Sequence, residues 1–177
     1  MKEFYVILDN IRSLENVGSI FRTADALGVS KIFLCGYTAK PPVGESIESF
    51  LQRKGIIEKI NKTALGAVQS VDFEYCESTS GLIRKMRQPC FAKALQGSAP
   101  ISIVALEQDQ KSVAYDKFKP KFPLALILGN EVDGVSKKVL SLCDKIIELP
   151  MRGKKESLNV AVSFGVAGYE INKNRYN

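Results

Sequence analysis

Short runs of consecutive apolar residues, set apart by segments with helical spacing, are the feature that most constrains the fold of this chain. Phe4–Asp9 (FYVILD) and residues 124–130 (LALILGN) show this feature most plainly. A strand that faces water on one side alternates apolar and polar residues, whereas a strand that is apolar along its length has to be covered on both faces. Four further segments read as strands, namely residues 31–36, 71–76, 100–107 and 145–150. We therefore predict an α/β fold in which helices cover both faces of a mostly parallel sheet.

The segments between these strands carry the helix and loop signals. In residues 16–29 apolar residues recur at helical spacing, with Asn16 as a candidate N-cap and Gly28 as a candidate stop. We expect partly helical structure in residues 47–68, short helices in residues 80–88 and 136–144, and a terminal helix within residues 151–171. Two prolines and a glycine predict a loop at residues 37–46, and a polar, lysine-rich connection occupies residues 108–123.

Length and composition indicate one globular domain over residues 1–177. Of the 177 residues, 45% are hydrophobic and 25% are charged, which is enough for one sizeable core. The formal charge of +6 and the pI of about 9.1 favour a polyanionic partner, although a basic surface without such a partner explains them equally well. No apolar run approaches the ~20 residues that span a bilayer, and we expect no secretory signal and no membrane association.

The histidine and cysteine content excludes several kinds of active site. The chain contains no histidine, which rules out Ser–His–Asp and Cys–His nucleophile systems and any histidine metal ligand. The four cysteines, Cys35, Cys76, Cys90 and Cys143, are widely spaced and include no C-x-x-C pair. We therefore expect single buried thiols, no metal site and a reducing, cytoplasmic environment.

A first group of polar residues lies where the first strand passes into the first helix. Asn16, Gly18 and Arg22 form the pattern Asn-x-Gly-x-x-x-Arg. Ligands of open α/β sheets bind at the carboxyl ends of strands, which is where this junction falls. Gly18 would let another backbone or a phosphate come close, and Arg22, one turn later, can make two-pronged contacts with a phosphate. A capped helix with a surface arginine is the plainer alternative.

A second group follows the fifth predicted strand. Gly129, Asn130 and Glu131 end that strand, and Gly134 and Ser136 precede a helix. The stretch has neither the Gly-Lys-Ser/Thr ending of a P-loop nor the Gly-x-Gly-x-x-Gly of a dinucleotide site. A glycine at the end of a strand exposes backbone donors to the edge of a ligand. An ordinary strand–loop–helix turn is the alternative interpretation.

A third group opens the terminal helix. Three positive charges precede the helix, at Arg152, Lys154 and Lys155. Ser157 is a candidate N-cap, and Asn159 in the first turn can both donate and accept hydrogen bonds. The helix also carries the small residues Ala161, Gly165 and Gly168. Because each helical glycine costs about 1 kcal/mol relative to alanine, these residues indicate close packing. A buried terminal helix with a capping serine is the alternative, but it leaves the charged loop unexplained.

Together the three groups resemble the three motifs of the SpoU/TrmH branch of the SPOUT RNA methyltransferases. Asn-x-Gly-x-x-x-Arg near the start, Leu-Gly-Asn-Glu-x-x-Gly late in the chain, and Leu-Pro-Met followed by Ser-Leu-Asn-Val occur in the family's order and at its spacing. Residues 61–73 (NKTALGAVQSVDF) are similar to a further family motif. The resemblance covers essentially the whole chain and implies a catalytic domain without the extra amino-terminal RNA-binding domain of some members.

The resemblance implies a C-terminal trefoil knot, which ordinary chain topology would not suggest, and S-adenosylmethionine as the cofactor. The chain from Leu149 to Asn159 would wrap the cofactor, and the terminal helix would pack against the knot and a second subunit. The implied cofactor-binding residues are Leu106, Gly129, Asn130, Leu149, Met151, Ser157 and Leu158. Backbone recognition of an adenine edge needs little side-chain chemistry, which suits these residue types.

The implied reaction is methyl transfer to a ribose 2′-hydroxyl of tRNA or rRNA, with Arg22, Asn16, Glu131 and Asn159 as the catalytic residues. A guanidinium is a poor base, so Arg22 would bind the adjacent phosphate, which accepts the proton, and would stabilise charge developing on the oxygen. Asn16 would hold Arg22 or the ribose, and Asn159 would position the hydroxyl. Glu131 would orient the motif loops or a ribose.

A homodimer is also implied, and it would double the basic area offered to RNA. The candidate phosphate contacts are Arg12, Arg22, Arg84, Lys85, Arg87, Arg152, Lys154 and Lys155. A solvated surface charge is the plainer interpretation of any one of them. Three other functions stay open: an RNA-binding module of the same fold that has lost catalysis, a small-molecule enzyme of the doubly wound class, and a SPOUT methyltransferase that acts on a base. The sequence does not identify the RNA.

Overall fold

Seven strands form one sheet in the computed structural model, which describes residues 2–41, 47–88, 91 and 99–176. In chain order the strands are β1 (Phe4–Asp9), β2 (Lys31–Cys35), β3 (Phe73–Cys76), β4 (Ser102–Leu106), β5 (Val113–Ala114), β6 (Leu124–Leu128) and β7 (Lys145–Glu148). Across the sheet the order is β3-β2-β1-β6-β4-β7-β5, and all six pairings are parallel. The parallel sheet that the apolar runs predict is therefore confirmed.

Helices lie between and after the strands. They are α1 (Leu14–Ala26), α2 (Ile47–Ala64), α3 (Ala67–Ser70), α4 (Thr79–Met86), α5 (Lys137–Leu140) and α6 (Val160–Lys173), with a 3₁₀ turn at Tyr115–Lys117. The mixed segment at residues 47–68 is therefore a long helix followed by the start of a short one. The structure also confirms the predicted helices at residues 80–88 and 136–144, although both are shorter than the predicted ranges.

Two apolar clusters, one on each face of the sheet, form the core. On one face Phe4, Val6 and Leu8 of β1 are buried with residues of α1, α2 and α6. On the other face Tyr5 and Ile7 are buried with residues of α4 and α5. Successive side chains of a strand point to opposite faces, so β1 contributes to both clusters. Its six consecutive buried residues explain why its sequence shows no alternation.

The N-cap of the first helix lies three residues earlier than the sequence predicts. Ser13, not Asn16, is the N-cap, and its side-chain oxygen accepts the backbone N–H of Asn16. Serine and asparagine are similar in capping strength, so local preference could not separate them. The predicted stop is confirmed, because Gly28 has a φ of +60° and its N–H donates to the carbonyl of Asp25. The side chain of Asn16 is left for another role.

The polar connection at residues 108–123 contains a strand that the sequence does not predict. Val113 and Ala114 pair with Ile147 and Glu148 of β7, at the edge of the sheet. A strand of two residues carries no periodicity signal, so only the neighbouring strand reveals it.

The remaining expectations on the fold concern thiols, loops and membranes. Cys35 is buried, whereas Cys76 and Cys143 are half-buried, and all three are free thiols. Cys90 and most of the loop predicted at residues 37–46 lie outside the described residues. None of the helices in the described ranges combines the length and the apolar character that a bilayer span requires.

A buried arginine holds the end of the chain against the amino edge of the sheet. Arg175 is 3% exposed, and its guanidinium donates to the carbonyls of Lys2, Leu27 and Gly28 and to the hydroxyl of Ser30. A planar fork with five N–H donors suits several acceptors at once. The arrangement fixes the carboxyl end of α6 and therefore the position of the whole terminal helix.

Candidate active site

One cleft lies over the carboxyl ends of three neighbouring strands. Leu106 ends β4, Gly129 follows β6 and Leu149 follows β7, and all three line a cleft of about 470 Å³. In open α/β sheets, ligands bind at this edge. The strand order places β6, β4 and β7 side by side, so three loops that are far apart in sequence converge there.

Every residue that the sequence assigns to a cofactor lines this cleft. The set comprises Leu106, Gly129, Asn130, Leu149, Met151, Ser157 and Leu158. Glu131 and Asn159, which the sequence assigns to catalysis, line it as well. The structure thus brings the second and third sequence groups together.

The loop after β6 owes its shape to two glycines. A Cβ on Gly129 would lie 2.5 Å from the backbone N of Val135, closer than any real contact. Gly134 has a φ of +63°, in the left-handed region that favours glycine. The two backbone hydrogen bonds between Asn130 and Gly134 then close the loop on itself.

The side chain of Asn130 builds this loop and does not reach out to a ligand. Asn130 is 7% exposed, and its oxygen accepts the backbone N–H groups of Val132 and Asp133. Its nitrogen donates to the carbonyl of Asn10 and to the hydroxyl of Tyr37, each at 2.8 Å. Both donors of the amide are therefore used, which leaves Asn130 a scaffolding part in the cleft wall.

The carboxylate of Glu131 ties the same loop to the start of α1. It accepts the backbone N–H groups of Arg12 and Ser13, each at 2.9 Å, and the amide nitrogen of Asn16 at 2.8 Å. Partial burial alone would raise the pKa of Glu131, but these hydrogen bonds outweigh it and hold the pKa below its ordinary value. Glu131 is therefore ionised at neutral pH and can only accept hydrogen bonds.

Asn16 and Asn159 continue the chain of hydrogen bonds that begins at Glu131. The nitrogen of Asn16 is committed to Glu131, so its oxygen faces the other way and accepts the nitrogen of Asn159 at 3.0 Å. The oxygen of Asn159 in turn accepts the backbone N–H of Ala161 at 2.9 Å. Glu131, Asn16 and Asn159 form a chain of three hydrogen-bonded side chains, which we name the amide relay. Because the carboxylate of Glu131 can only accept hydrogen bonds, it fixes the orientation of both amides. Asn159, not Ser157, is therefore the N-cap of α6.

The cleft is acidic. Glu107, Glu131, Asp133 and Glu148 line it, and none of its described lining residues is a lysine or an arginine. Glu107 is partly engaged, because its two oxygens accept the backbone N–H groups of Gln108 and Val135. A carboxylate-lined cleft favours a neutral or cationic ligand and disfavours one that carries phosphate groups. Among the described residues, no group of three or more cysteine, aspartate or glutamate side chains is arranged to hold a metal ion.

Comparison with known proteins identifies the family. The profile of the SpoU rRNA Methylase family matches residues 3–169. The chain belongs to this family. It is 28% identical to the tRNA (guanosine(18)-2′-O)-methyltransferase of Aquifex aeolicus, over 98% of this chain and 71% of the relative. It is also 28% identical to the 23S rRNA (guanosine-2′-O-)-methyltransferase RlmB of Xylella fastidiosa, over 96% of this chain and 58% of the relative.

A solved structure of this SpoU family shares the fold. The SpoU methyltransferase AviRb of Streptomyces viridochromogenes, in complex with AdoMet, superposes with a TM-score of 0.78 at 26% identity. The alignment covers 100% of this chain and 60% of AviRb. Our chain therefore spans less than two thirds of the length of AviRb and of the Xylella relative.

Gly18 and Arg22, from the family's first motif, are not among the residues that line the cleft. Gly18 is buried against α2, where a Cβ would overlap the carbonyl of Ile60 and the hydroxyl of Thr63. The glycine therefore admits a neighbouring backbone, one of the two roles considered, and no phosphate can reach it. Arg22 is exposed on α1 and is not among the residues that line the cleft. Asn16 holds Glu131 and Asn159, and the described structure shows no contact between Asn16 and Arg22.

The structure separates the candidate RNA contacts into two groups. Arg12, Arg152, Lys154 and Lys155 are exposed in the segments that surround the cleft. Arg84 and Lys85 are exposed too, but they lie in the last turn of α4.

Arg87 shows where that last turn lies. It forms an ion pair with Asp144 at 2.9 Å, immediately before β7 begins, and donates to the carbonyl of Leu142. The end of α4 is thus near the amino edge of the sheet, opposite the cleft. Arg87 has a structural partner but stays half exposed, and its assignment as a phosphate contact stays a prediction.

Two residues of this site escaped the sequence analysis. Glu107 directly follows β4 and lines the cleft, a position that the rule for the carboxyl ends of strands would have found. Tyr37 reaches the site through Asn130. No spacing in the sequence signals this contact, because the two residues are 93 positions apart.

Proposed function

We propose that this protein transfers a methyl group from S-adenosylmethionine to a ribose 2′-hydroxyl of tRNA or rRNA. One observation carries the proposal. The seven residues assigned to the cofactor line a single cleft, and the amide relay forms part of its wall. The names of the Aquifex and Xylella relatives, one a tRNA and one an rRNA 2′-O-methyltransferase, support the acceptor. Such substrates also imply that the protein works in the cytoplasm.

The cleft suits S-adenosylmethionine in size and charge. A volume of about 470 Å³ lies within the range of clefts that enclose one small ligand. When bound, S-adenosylmethionine supplies a methyl group that its positive sulfonium has already activated. The carboxylates of the cleft complement that charge, and the AdoMet complex of AviRb supports the same assignment. Backbone groups around Leu106, Gly129 and Leu149 would hold the adenine edge.

The amide relay would position the attacking hydroxyl. An amide nitrogen has two N–H donors, and Asn159 uses one of them on Asn16. The other would donate to the ribose oxygen and stabilise negative charge as the O–CH₃ bond forms. Glu131 would act through Asn16, by fixing the direction of both amides, and is therefore a positioning residue in this scheme.

Arg22 would bind the RNA phosphate next to the target ribose. Arg22 is exposed on α1, and its Cα lies about 9 Å along the helix axis from that of Asn16, at 1.5 Å per residue. That distance is within reach of an RNA backbone whose ribose occupies the cleft. The phosphate held there would accept the hydroxyl proton, since the side chain itself stays protonated.

We further propose that residues 149–159 thread a loop of the chain to form the trefoil knot. Residues of this segment line the cleft together with residues that follow β4 and β6. In addition, the side chain of Gln108 donates to the backbone carbonyl of Glu156, which ties the segment to the loop after β4. The knot would give the cleft a wall that cannot fray from the chain end.

An apolar stripe on α6 supports a homodimer through that helix. Val162, Val166 and Tyr169 are 53%, 40% and 56% exposed, and their spacing places them on one face. Gly165 lies within the stripe with no described atom within 4 Å of its Cβ position. An exposed helical glycine costs about 1 kcal/mol, and close packing of a second copy would offset that cost.

Light scattering after size exclusion tests the dimer. Val162→Asp would place a charge in the stripe, and we expect a monomer. Leu65→Asp is the control, since Leu65 is 66% exposed away from α6 and its φ of +48° suits aspartate. Dimers that survive Val162→Asp, or a wild type that is monomeric, would refute this interface.

Methyl incorporation into tRNA and rRNA tests the reaction. Wild type and Arg22→Ala would be incubated with labelled S-adenosylmethionine and RNA from cells that lack the protein, and the product digested to nucleosides and weighed. We expect a 2′-O-methylated nucleoside from wild type and a large loss with Arg22→Ala. A methylated base would indicate the base methyltransferase instead. RNA binding without methylation by wild type would indicate an inactive binding module, and no RNA binding would indicate a small-molecule enzyme.

A further inference from the structure

Tyr37 is an exposed aromatic residue whose position is fixed by the active-site loop. The residue is 60% exposed, yet its hydroxyl accepts a hydrogen bond of 2.8 Å from the buried amide of Asn130. Asn130 lines the cleft, so the phenol hydroxyl contacts the loop that forms one wall of the cleft. The hydrogen bonds of this loop use every polar atom of the Asn130 side chain, but the reaction scheme above gives Tyr37 no role.

The backbone beneath Tyr37 is rigid. Its N–H donates to the side-chain oxygen of Asn10 at 3.3 Å, and a Cβ on the preceding Gly36 would collide with that same oxygen. The next residue, Thr38, is buried, and its hydroxyl donates to the carbonyl of Leu8 and accepts the N–H of Ile11. The ring is thus held at both its backbone and its hydroxyl end. A pre-ordered ring loses little conformational freedom when a ligand stacks on it.

The surroundings of Tyr37 indicate what kind of ligand would stack. Arg12 is exposed on the chain that leaves β1, and its backbone N–H binds Glu131 in the same loop as Asn130. An exposed aromatic ring and an exposed arginine that are anchored on the same loop suit a nucleotide, which offers a flat base and an anionic phosphate. The acidic cleft itself would not accept the phosphate, because its described lining residues include no cation.

We propose that Tyr37 is a stacking site for an unpaired base of the RNA, next to the nucleotide whose ribose enters the cleft. This inference rests on the proposed function and extends it to substrate recognition. Stacking tolerates any base, so Tyr37 would raise affinity for unpaired RNA and would not itself select a sequence. The hydroxyl bond to Asn130 would orient the ring and contribute little to binding.

Binding of a short single-stranded oligoadenylate that carries 2-aminopurine tests the inference. We expect Tyr37→Leu to weaken binding by about 5- to 100-fold, to abolish part of the fluorescence quenching, and to leave the slope of log K against log salt unchanged. Tyr37→Phe should bind within about twofold of wild type because it keeps the ring. Arg12→Ala should instead reduce the salt slope, by about one unit for one lost phosphate contact. Tyr176→Leu, at a residue that is 64% exposed beside Arg175 at the opposite edge, is the matched control and should bind as wild type.

Several results would overturn the inference. Unchanged binding by Tyr37→Leu would do so, and so would an equal loss of S-adenosylmethionine binding, which would assign the ring to the cofactor cleft. If Tyr37→Leu fails to fold, the quenching of 2-aminopurine by wild type and Tyr37→Phe decides, and its absence in both refutes stacking. If wild type methylates RNA and Tyr37→Leu binds RNA as well as wild type does, the stacking site is refuted and the proposed function is not. Wild type that neither binds nor methylates RNA would remove the proposed function with it.

Discussion

Asn159→Asp separates the two hydrogen-bonding tasks of one side chain. The oxygen of Asn159 accepts the backbone N–H groups of Ala161 and Val162 and caps α6, and aspartate caps a helix as well as asparagine does. The nitrogen of Asn159 donates to the oxygen of Asn16 at 3.0 Å, and a carboxylate has no such donor. The substitution therefore keeps the cap and reverses one contact of the amide relay.

Rotation of Asn16 cannot repair the relay in this variant. Its nitrogen donates to Glu131 at 2.8 Å, and hydrogen bonds hold the pKa of that carboxyl below its ordinary value. A flipped amide would therefore place oxygen against oxygen at Glu131. The lost hydrogen bond removes about 1 kcal/mol. The oxygen of Asn16 and the facing oxygen of the new carboxylate each carry about half a charge. At about 3 Å and an effective dielectric constant of about 20, their repulsion costs a further ~1 kcal/mol. A total of about 2 kcal/mol corresponds to a rate about 30-fold lower.

The decisive measurement compares stability and activity in the same variants. Urea unfolding should place both Asn159→Asp and Asn159→Ala about 2 kcal/mol below wild type, since alanine loses the cap, at about 1 kcal/mol, and the hydrogen bond to Asn16, at about 1 kcal/mol. Single-turnover methyl transfer at saturating cofactor should rank Asn159→Asp no higher than Asn159→Ala. Adding Glu131→Gln to Asn159→Asp should not restore the rate, because the Glu131 oxygen that binds Asn16 also accepts the backbone N–H of Ser13, and an amide nitrogen in its place would face that donor. Wild-type activity in Asn159→Asp would show that the relay has no part in catalysis.

Three further substitutions test packing and charge. Gly18→Ala should destabilise the protein by about 1–2 kcal/mol in urea unfolding, because overlap with the backbone of α2 exceeds the gain in helix propensity; a stabilised variant would contradict the packing. Arg175→Ala should lose about 2–3 kcal/mol by the same measurement, since three carbonyls lose a charged donor, whereas the exposed Lys173→Ala should melt as wild type does. Burial raises the pKa of Asp9, so the native state binds more protons than the unfolded chain above about pH 4, and stability falls as pH rises through the raised pKa. Asp9→Asn lacks the titrating carboxyl, so the stability of wild type relative to this variant should fall as pH rises. Identical stability–pH profiles of the two proteins would show that Asp9 titrates normally.

The sequence predicts the sheet and the cleft well because both depend on local patterns. The run Phe4–Asp9 lies inside the sheet, where helices cover both faces. Its unbroken series of apolar residues predicts this position, because a strand with one face in water would alternate apolar and polar residues. Gly129 and Leu149 each directly follow such a strand, and the carboxyl ends of parallel strands share one edge. Their meeting in one cleft also requires that β6, β4 and β7 lie side by side, which strand direction does not decide.

What the sequence could not predict depends on contacts between distant segments. Ser13 and Asn16 are both good caps, and only the proximity of Glu131, 115 residues from Asn16, decides that Asn16 serves the relay. The direction in which Arg22 points depends on how α1 packs on α2, through Gly18. Tyr37 is one aromatic residue in a loop, and the residues next to it in the sequence do not predict its contact with Asn130.

Charge is distributed in this molecule in a way that its net value of +6 conceals. Carboxylates line the cleft, whereas exposed cations such as Arg152 and Lys154 lie on the chain around it. A polyanion would be attracted to the rim and repelled from the interior, so an RNA backbone would stay outside. A small cationic donor would be favoured inside even while RNA is bound. Only a neutral ribose edge, turned inward between the two, can meet the donor without crossing a repulsive field. Under the proposed function, the same separation keeps the carboxylates where they would not oppose RNA binding.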